Sequence, residues 1–334
     1  MRHANVAFFI PHIGCPHRCS FCDQHAISGA IQAPKPEEVR RVCEQALSDL
    51  GERAQNSEIA FFGGSFTAID RGYMTALLEA AAPFVGKDGF SGIRVSTRPD
   101  AVEAEILSIL KGYGVTAIEL GAQSMDDGVL SKNQRGHTAA DVAAGAGRIR
   151  EMGFSLGLQM MVGLYGDTLS GAEETAEKLA VLHPDTVRIY PTVILRGTQL
   201  AQLWDEGRYR LPDFDETVKL CARLLLFFEG QGIRVIRLGL HASQEMENHM
   251  VAGLYHPAFR ELCENEIYLA HALEQIKAQR LPYGKLILWV APGHTSKMAG
   301  QKRRNLEILT GLGYQTKIKE CPGLLEYEVK AEGK

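Results

Sequence analysis

The 334-residue chain contains no uninterrupted apolar run of the roughly 18 residues that a membrane-spanning helix needs. Its opening stretch, MRHANVAFFIPH, is too short and too soon broken by Pro11 to read as a signal peptide. A cytoplasmic protein with no membrane partner is the expectation. A disulfide framework is also lacking: the seven cysteines are odd in number and show no framework spacing. Charge of one sign is not in excess, since 36 Lys and Arg face 40 Asp and Glu, for a net charge of −4. That balance gives no general pull toward nucleic acid or an anionic membrane. Repeats and low-complexity tracts are absent.

What is present is the composition of a globular protein, 45% hydrophobic and 23% charged, in a chain long enough for one large α/β core and an extension. Strand-like runs recur at NVAFFIP (5–11), EIAFFGG (58–64), GIRVSTR (92–98), AIELGAQ (117–123), LGLQMMVG (156–163) and TVRIYPTVI (186–194), with IRVIRLGL (233–240) as a seventh candidate. Several are almost continuously apolar, as strands buried on both faces of a parallel sheet are. Between them lie helical patterns. PEEVRRVCEQALSDLG (36–51) opens on proline and acids and closes on glycine. AVEAEILSILKGYG (101–114) repeats apolar residues at three- and four-residue spacing, and SGAEETAEKLAVL (170–182) begins with a Ser170/Glu173 capping-box pattern. Alternation of this kind implies βα units around a parallel sheet, open or closed.

The unusual residues gather at one end of these strands. Gly63-Gly64, Ser96-Thr97-Arg98, Gln123 and Gly163 all fall at predicted C-terminal strand ends, the edge where parallel α/β folds bind ligands. Beyond residue 240 the rhythm changes. A His-, Asn- and Glu-rich stretch (241–262) precedes a helical run (264–279), a strand (285–292), a basic helix, and strand-like YQTKIKEC and LLEYEVK. The expected division is a core at 1–240 and a small α+β extension at 241–334, with the boundary between 240 and 260.

Cys15, Cys19 and Cys22 form a C-x3-C-x2-C loop directly after the first strand, while Cys43, Cys221, Cys263 and Cys321 stand singly and read as core residues. Three thiolates leave a structural zinc site one ligand short, and His12, His17 or His25 could complete a Cys3His set. Alternatively, a cubane iron–sulfur cluster held by three thiolates keeps one iron open to a small chelating molecule.

The loop, with its Ser20-Phe21-Cys22 ending, resembles the signature of the radical S-adenosylmethionine (radical SAM) superfamily. FFGGSFTAI (61–69) is similar to that family's glycine motif. STRPD (96–100), ELGAQSMDDGVLSKNQRGHT (119–138) and RIYPTVILRGTQL (188–200) resemble the radical SAM half of the elongator catalytic subunit, and YHPAFREL (255–262) resembles its C-terminal extension. A more distant similarity is to oxygen-independent coproporphyrinogen oxidase.

The resemblance implies a partial parallel (β/α)6-type barrel, a [4Fe–4S] cluster on Cys15, Cys19 and Cys22, and S-adenosylmethionine on the open iron. It implies that Gly63 and Gly64, with Ser65, meet the methionyl ammonium, that Arg135 pairs with the carboxylate, and that Phe21 packs under the adenine. Gln123 and Gln159 correspond to positions facing the cofactor. Ser96 stands where a glutamate is common, and Gln159 where a histidine or aspartate is usual. The implied activity is reductive cleavage of S-adenosylmethionine to a 5′-deoxyadenosyl radical that abstracts hydrogen from substrate. It requires an electron donor such as reduced flavodoxin or ferredoxin.

Wobble uridine of tRNA is the implied substrate candidate. Against simple transfer stand the negative net charge and a length too short for an acetyltransferase half. Lys297, Lys302, Arg303 and Arg304 form a basic run that could meet phosphates or be a solvated helix face. The competing reading is a non-catalytic iron–sulfur or zinc-bearing RNA-binding module, which gives the glycine, Gln123 and Arg135 positions no role.

Overall fold

The computed structural model of the chain describes residues 4–16, 18–30 and 32–333. They fall into two compact units. The first comprises residues 1–212, 228–237 and 241–254, and the second 213–227, 238–240 and 255–334. The division is therefore not one cut near 240. Most of the helix Phe214–Gly230 goes with the second unit and the hairpin strand at 250–253 with the first.

The first unit is built on a seven-stranded sheet. Its strands are β1 (Ala4–Ile10), β2 (Ser57–Gly63), β3 (Gly92–Thr97), β4 (Val115–Gln123), β5 (Ser155–Val162), β6 (Thr186–Pro191) and, past the short β7 (Val193–Leu195), β8 (Arg234–Leu238). The order is β1-β2-β3-β4-β5-β6-β8, and each ladder from β1 to β6 is parallel. The sheet is curled. Arg188 of β6 lies over the Phe62 ring of β2, 5.1 Å from its centre. Those strands are four spacings apart, about 19 Å in a flat sheet. Only a partial barrel brings them together across a lumen.

The predicted run 186–194 is two strands, because the chain turns at Thr192 and β7 pairs antiparallel with β9 (Met250–Gly253). Helices fill the outer face, and several are capped at their starts by side chains. Asp126 accepts from Val129 N–H at 2.8 Å, and Thr138 forms a capping box with Asp141. The expected Ser170/Glu173 box is not used. The helix starts one residue earlier, at Leu169, and Thr168 caps it by accepting from Gly171 N–H at 2.9 Å. In the core, Phe61 is fully buried between Phe8 and Phe66, with ring centres 5.5 and 4.8 Å away. Each such pair adds about 0.5–1.5 kcal/mol to its burial.

The second unit carries a three-stranded sheet, β11 (Tyr314–Glu320), β10 (Gly284–Val290), β12 (Val329–Gly333), with β10 parallel to β11 and antiparallel to β12. The helix Phe259–Ala278 contributes Glu264, which receives Arg260 at 2.9 Å and Lys297 at 3.0 Å. Among the described residues no helix is long and apolar enough to cross a membrane.

Candidate active site at the cysteine loop

The three cysteines follow β1 directly and precede the short helix Gln24–Ser28, which Asp23 caps by accepting from the His25 and Ala26 amides at 3.0 and 3.1 Å. All three thiols are free and partly buried. The loop curls on itself through Cys22 N–H to Cys19 O at 3.1 Å and Cys15 N–H to His12 O at 3.4 Å. His12 and His25 each spend a ring nitrogen on the loop: Gln24 N–H donates to His12 Nε2 at 2.9 Å, and His25 Nδ1 bonds Ala30 O at 2.9 Å. His17 lies outside the described residues. Among the described residues no three His, Cys, Asp or Glu are grouped to hold a single metal ion. A cubane, which takes one thiolate per iron, asks for a wider spread of sulfurs.

The loop is clasped to the end of β2 by backbone alone. Gly64 N–H donates to Ile10 O at 2.7 Å and Ser65 N–H to Ile13 O at 3.2 Å. A methyl group on Gly64 would overlap the Ile13 carbonyl, and one on Gly14 would overlap the Ser65 carbonyl. Gly63 sits at φ +111°, open to glycine and strained for other residues. Glycine here serves close approach of two main chains. Ser65, fully buried, turns its hydroxyl to Thr97 Oγ1 at 2.8 Å and accepts from Arg98 N–H at 3.2 Å, so it ties the β2 end to the β3 end.

Arg135 comes from the turn after the helix Asp127–Lys132, 116 residues beyond Cys19. Its Nη1 donates to Cys19 Sγ at 2.9 Å and its Nη2 to Gly121 O at 2.6 Å, while its buried Nε has no partner. Beside it Gln123 ends β4 at φ +68°, a left-handed conformation that costs a non-glycine residue energy. Its Oε1 is buried and also unpartnered. Two orphaned polar atoms at the cysteine loop mark a place where a polar ligand completes the hydrogen bonding.

A second guanidinium faces the loop, one for which STRPD offered no assigned role. Arg98 is gripped by Asp100 through Nε–Oδ1 at 2.9 Å and Nη2–Oδ2 at 2.7 Å. Burial, then the neighbouring Cys19, raises the Cys15 thiol pKa, and Arg98 and Arg135 only partly offset this. Burial and Cys19 push Cys22 up to about 12, against a hydrogen bond from Gln24 Nε2 at 3.3 Å. These thiols hold their protons until a cation displaces them, as thiolate metal sites do.

Phe21 packs with Val129, Leu164, Ile194, Leu200 and Tyr209, and Cys19 and Cys22 lie against that cluster, so one side of the loop is dry. Ser96 and Gln159 sit deeper, inside the barrel. Gln159 Nε2 donates to Ser96 Oγ at 3.2 Å and to Glu119 Oε2 at 2.8 Å. They belong to an ionic chain that sequence reasoning missed: Glu58 binds Arg94 at 2.8 Å, Arg94 reaches Glu119 at 3.3 Å, and Glu119 binds Arg188 at 2.6 Å. The only available signal was the inward alternation of charges along β2, β3, β4 and β6.

The structure thus brings Cys15, Cys19, Cys22, Gly63, Gly64, Arg135 and Gln123 to one mouth, and places Ser96 and Gln159 in the lumen beneath. Three soft sulfur donors beside an amide and a guanidinium with unmet hydrogen bonds can hold an iron–sulfur cluster and a small zwitterion.

A family model described as the radical SAM superfamily matches residues 9–179, and one described as the radical SAM C-terminal domain matches residues 184–268. The chain is 28% identical over 239 residues to a tRNA uridine(34) acetyltransferase from Dehalococcoides mccartyi, covering 61% of this chain and 52% of that protein. It is 31% identical over 203 residues to human Elongator complex protein 3, covering 54% and 37%. The chain therefore spans about half or less of these two relatives. Among solved structures, the Elp3 of the archaeon Methanocaldococcus infernus superposes with a TM-score of 0.62 at 19% identity, covering 84% of this chain and 64% of that one. The Escherichia coli coproporphyrinogen III oxidase gives 0.51 at 14% identity, covering 92% and 90%. At these identities the superpositions speak to the fold.

Proposed function

The chain belongs to the radical SAM superfamily and is an enzyme, and from that premise we propose that it binds a [4Fe–4S] cluster on Cys15, Cys19 and Cys22 and S-adenosylmethionine beside it. When bound, that pair supplies one-electron cleavage of the sulfonium carbon–sulfur bond and a 5′-deoxyadenosyl radical that takes hydrogen from substrate.

The observation that carries the reading is the pair of orphaned atoms at the loop, Arg135 Nε and Gln123 Oε1. A planar guanidinium is suited to the methionyl carboxylate, and it already reaches Cys19. Gln123 offers an amide oxygen to the ammonium. The amide of Gly64 is taken by Ile10, so that turn contributes carbonyl oxygens to the ammonium. Ser65 acts by holding the β2 and β3 ends together. Phe21 and its apolar neighbours exclude water from one side of the cluster. Ser96 and Gln159 face the substrate chamber and are tied to Glu119 rather than free for a ribose.

The test is anaerobic reconstitution followed by reduction with S-adenosylmethionine. We expect about four irons per chain and formation of 5′-deoxyadenosine and methionine. Iron falls in Cys15→Ala, Cys19→Ala or Cys22→Ala and stays in Cys321→Ala. One stoichiometric zinc and no 5′-deoxyadenosine would reject the reading.

For the substrate, one relative's name points to uridine of tRNA, and we propose a nucleic-acid uridine as the class to assay first, with reduced flavodoxin or ferredoxin as electron donor. Within the basic run, Lys297 is held by Glu264 and Glu326 and Arg304 by Asp215 at 2.7 Å. Lys302 and Arg303 remain for phosphate.

A further inference from the structure

The ionic chain inside the barrel leaves a cation over. Glu58 and Glu119 are matched by Arg94 and Arg188 across β2, β3, β4 and β6. Arg237, on β8 at the sheet's edge, is a third guanidinium. It is partly buried, its Nε is shielded from solvent without a hydrogen-bond partner, and among the described residues it has no carboxylate. Its electrostatic neighbours are Tyr190 and Arg188 of β6, and Arg188 bridges to Glu119 and overlies Phe62, which puts this group on the lumen side. Burial and the Arg188 charge both press against protonation of Arg237. A half-buried guanidinium with a shielded, unpartnered Nε–H and no carboxylate beside it is suited to an incoming anion.

We propose that Arg237, with the Tyr190 hydroxyl beside it, receives a carboxylate or phosphate oxyanion of the molecule that enters the barrel lumen. This rests on the lumen being the substrate chamber of the enzyme proposed above. The donors suit an oxyanion. Arg237 offers Nε–H, which nothing else takes, and a guanidinium fork fits two oxygens. Tyr190 is among the electrostatic neighbours of Arg237, and its phenol carries a proton that can be donated to an oxyanion. Burial, then the nearby Arg237 and Arg188, lower the His241 pKa, and as a neutral ring it adds a further polar partner without a competing negative charge. The space is open to a ligand, because Ser96, Gln159, Met161 and Tyr190 on this face are each partly exposed. The reacting end of the substrate would then lie toward the cysteine loop and its anionic end toward β8.

The experiment is calorimetric titration of the full chain with inorganic phosphate and, separately, acetate, before and after cluster reconstitution. The proteins compared are wild type, Arg237→Gln, Arg237→Lys, Tyr190→Phe and the surface control Lys87→Gln, at an exposed position. Wild type should bind at least one anion saturably. Arg237→Gln should bind about tenfold or more weakly, as expected for losing a hydrogen bond to a charged group. Tyr190→Phe should lose a few-fold, Arg237→Lys should retain part of the affinity, and Lys87→Gln should match wild type. Preference for phosphate identifies a phosphorylated substrate and preference for acetate a carboxylate; either supports the site. Equal affinity in wild type and Arg237→Gln overturns it, as does no saturable binding of either anion. Should Arg237→Gln not fold, Arg237→Lys and Tyr190→Phe carry the comparison. Anion binding is also read without the cluster, so failure to form 5′-deoxyadenosine removes the enzymatic reading and the substrate role with it, whereas loss of the Arg237 dependence removes the anion site itself.

Discussion

Arg135 places Nη1 2.9 Å from the sulfur of Cys19, a residue 116 positions earlier in the chain, while its Nη2 holds Gly121 O at 2.6 Å. The second bond anchors the guanidinium to β4, so the first presents a fixed positive charge to the cysteine loop. Arg135 is thus held against the end of β4 with its charge turned to the cysteines.

Replacing that fork while keeping the side chain's bulk separates ligand binding from cluster assembly. Arg135→Met should retain about four irons and bind S-adenosylmethionine about tenfold or more weakly by equilibrium dialysis. Unchanged affinity would take Arg135 out of the site.

The glycine clasp predicts opposite outcomes for two superficially similar changes. Gly64→Ala forces a methyl into the Ile13 carbonyl and should lower stability and iron retention together. Gly147→Ala, inside the helix Ala139–Glu151 with open space around it, should raise stability by about 1 kcal/mol through helix propensity. Urea unfolding of both variants checks this.

Glu119 is the centre of the lumen chain, bonded by Arg94, Arg188 and Gln159. Glu119→Ala strands the buried Arg188 guanidinium, leaves Arg94 with Glu58 alone, and should cost about 3–5 kcal/mol in urea unfolding. A cost below 1 kcal/mol would mean that water fills the lumen and screens the chain.

His137 gives a pH dependence of known sign. It is buried, Nε2 lies 3.2 Å from the Ala122 carbonyl, and burial with Arg135 nearby lowers its pKa from 6.5 to about 4. The unfolded chain therefore takes up its proton first as pH falls. The stability that His137 contributes is fully present above 6.5 and is lost toward 4, by up to about 3 kcal/mol. His137→Gln should flatten the fall in urea midpoint between pH 7 and 4.5. A wild-type slope in the variant would assign the effect elsewhere.

If tRNA is a partner, its retention should depend on Lys302 and Arg303 and weaken with salt. Lys302→Glu with Arg303→Glu should lose retention in a filter assay. Changing Arg304, already paired with Asp215, should do little. Equal loss from all three would mean that the ion pair opens on binding.

The strands and the mouth could be read from sequence because buried parallel strands are apolar runs and their C-terminal ends carry glycines and polar residues. The cysteine loop stood out because thiols seldom cluster by accident. Three things could not be read. Ser65 resembled a ligand contact, yet its hydroxyl is spent on Thr97, a partner 32 residues away that only the folded sheet supplies. Residues 186–194 looked like one strand because Thr192 carries no turn signature, and the break is set by pairing with 250–253. The charges at 58, 94, 119 and 188 appear as isolated polar interruptions of apolar strands, and they become a chain only when the sheet curls.

The contact between residues 10–14 and 63–65 is made by main-chain atoms, with side chains forbidden at Gly14 and Gly64. Its shape is therefore indifferent to most neighbouring substitutions but intolerant of any change in segment length. For engineering, the two segments form a single cassette. Transplanted together into another barrel they should fix where the following cysteine loop begins, whereas either one moved alone would meet a mismatched counterpart.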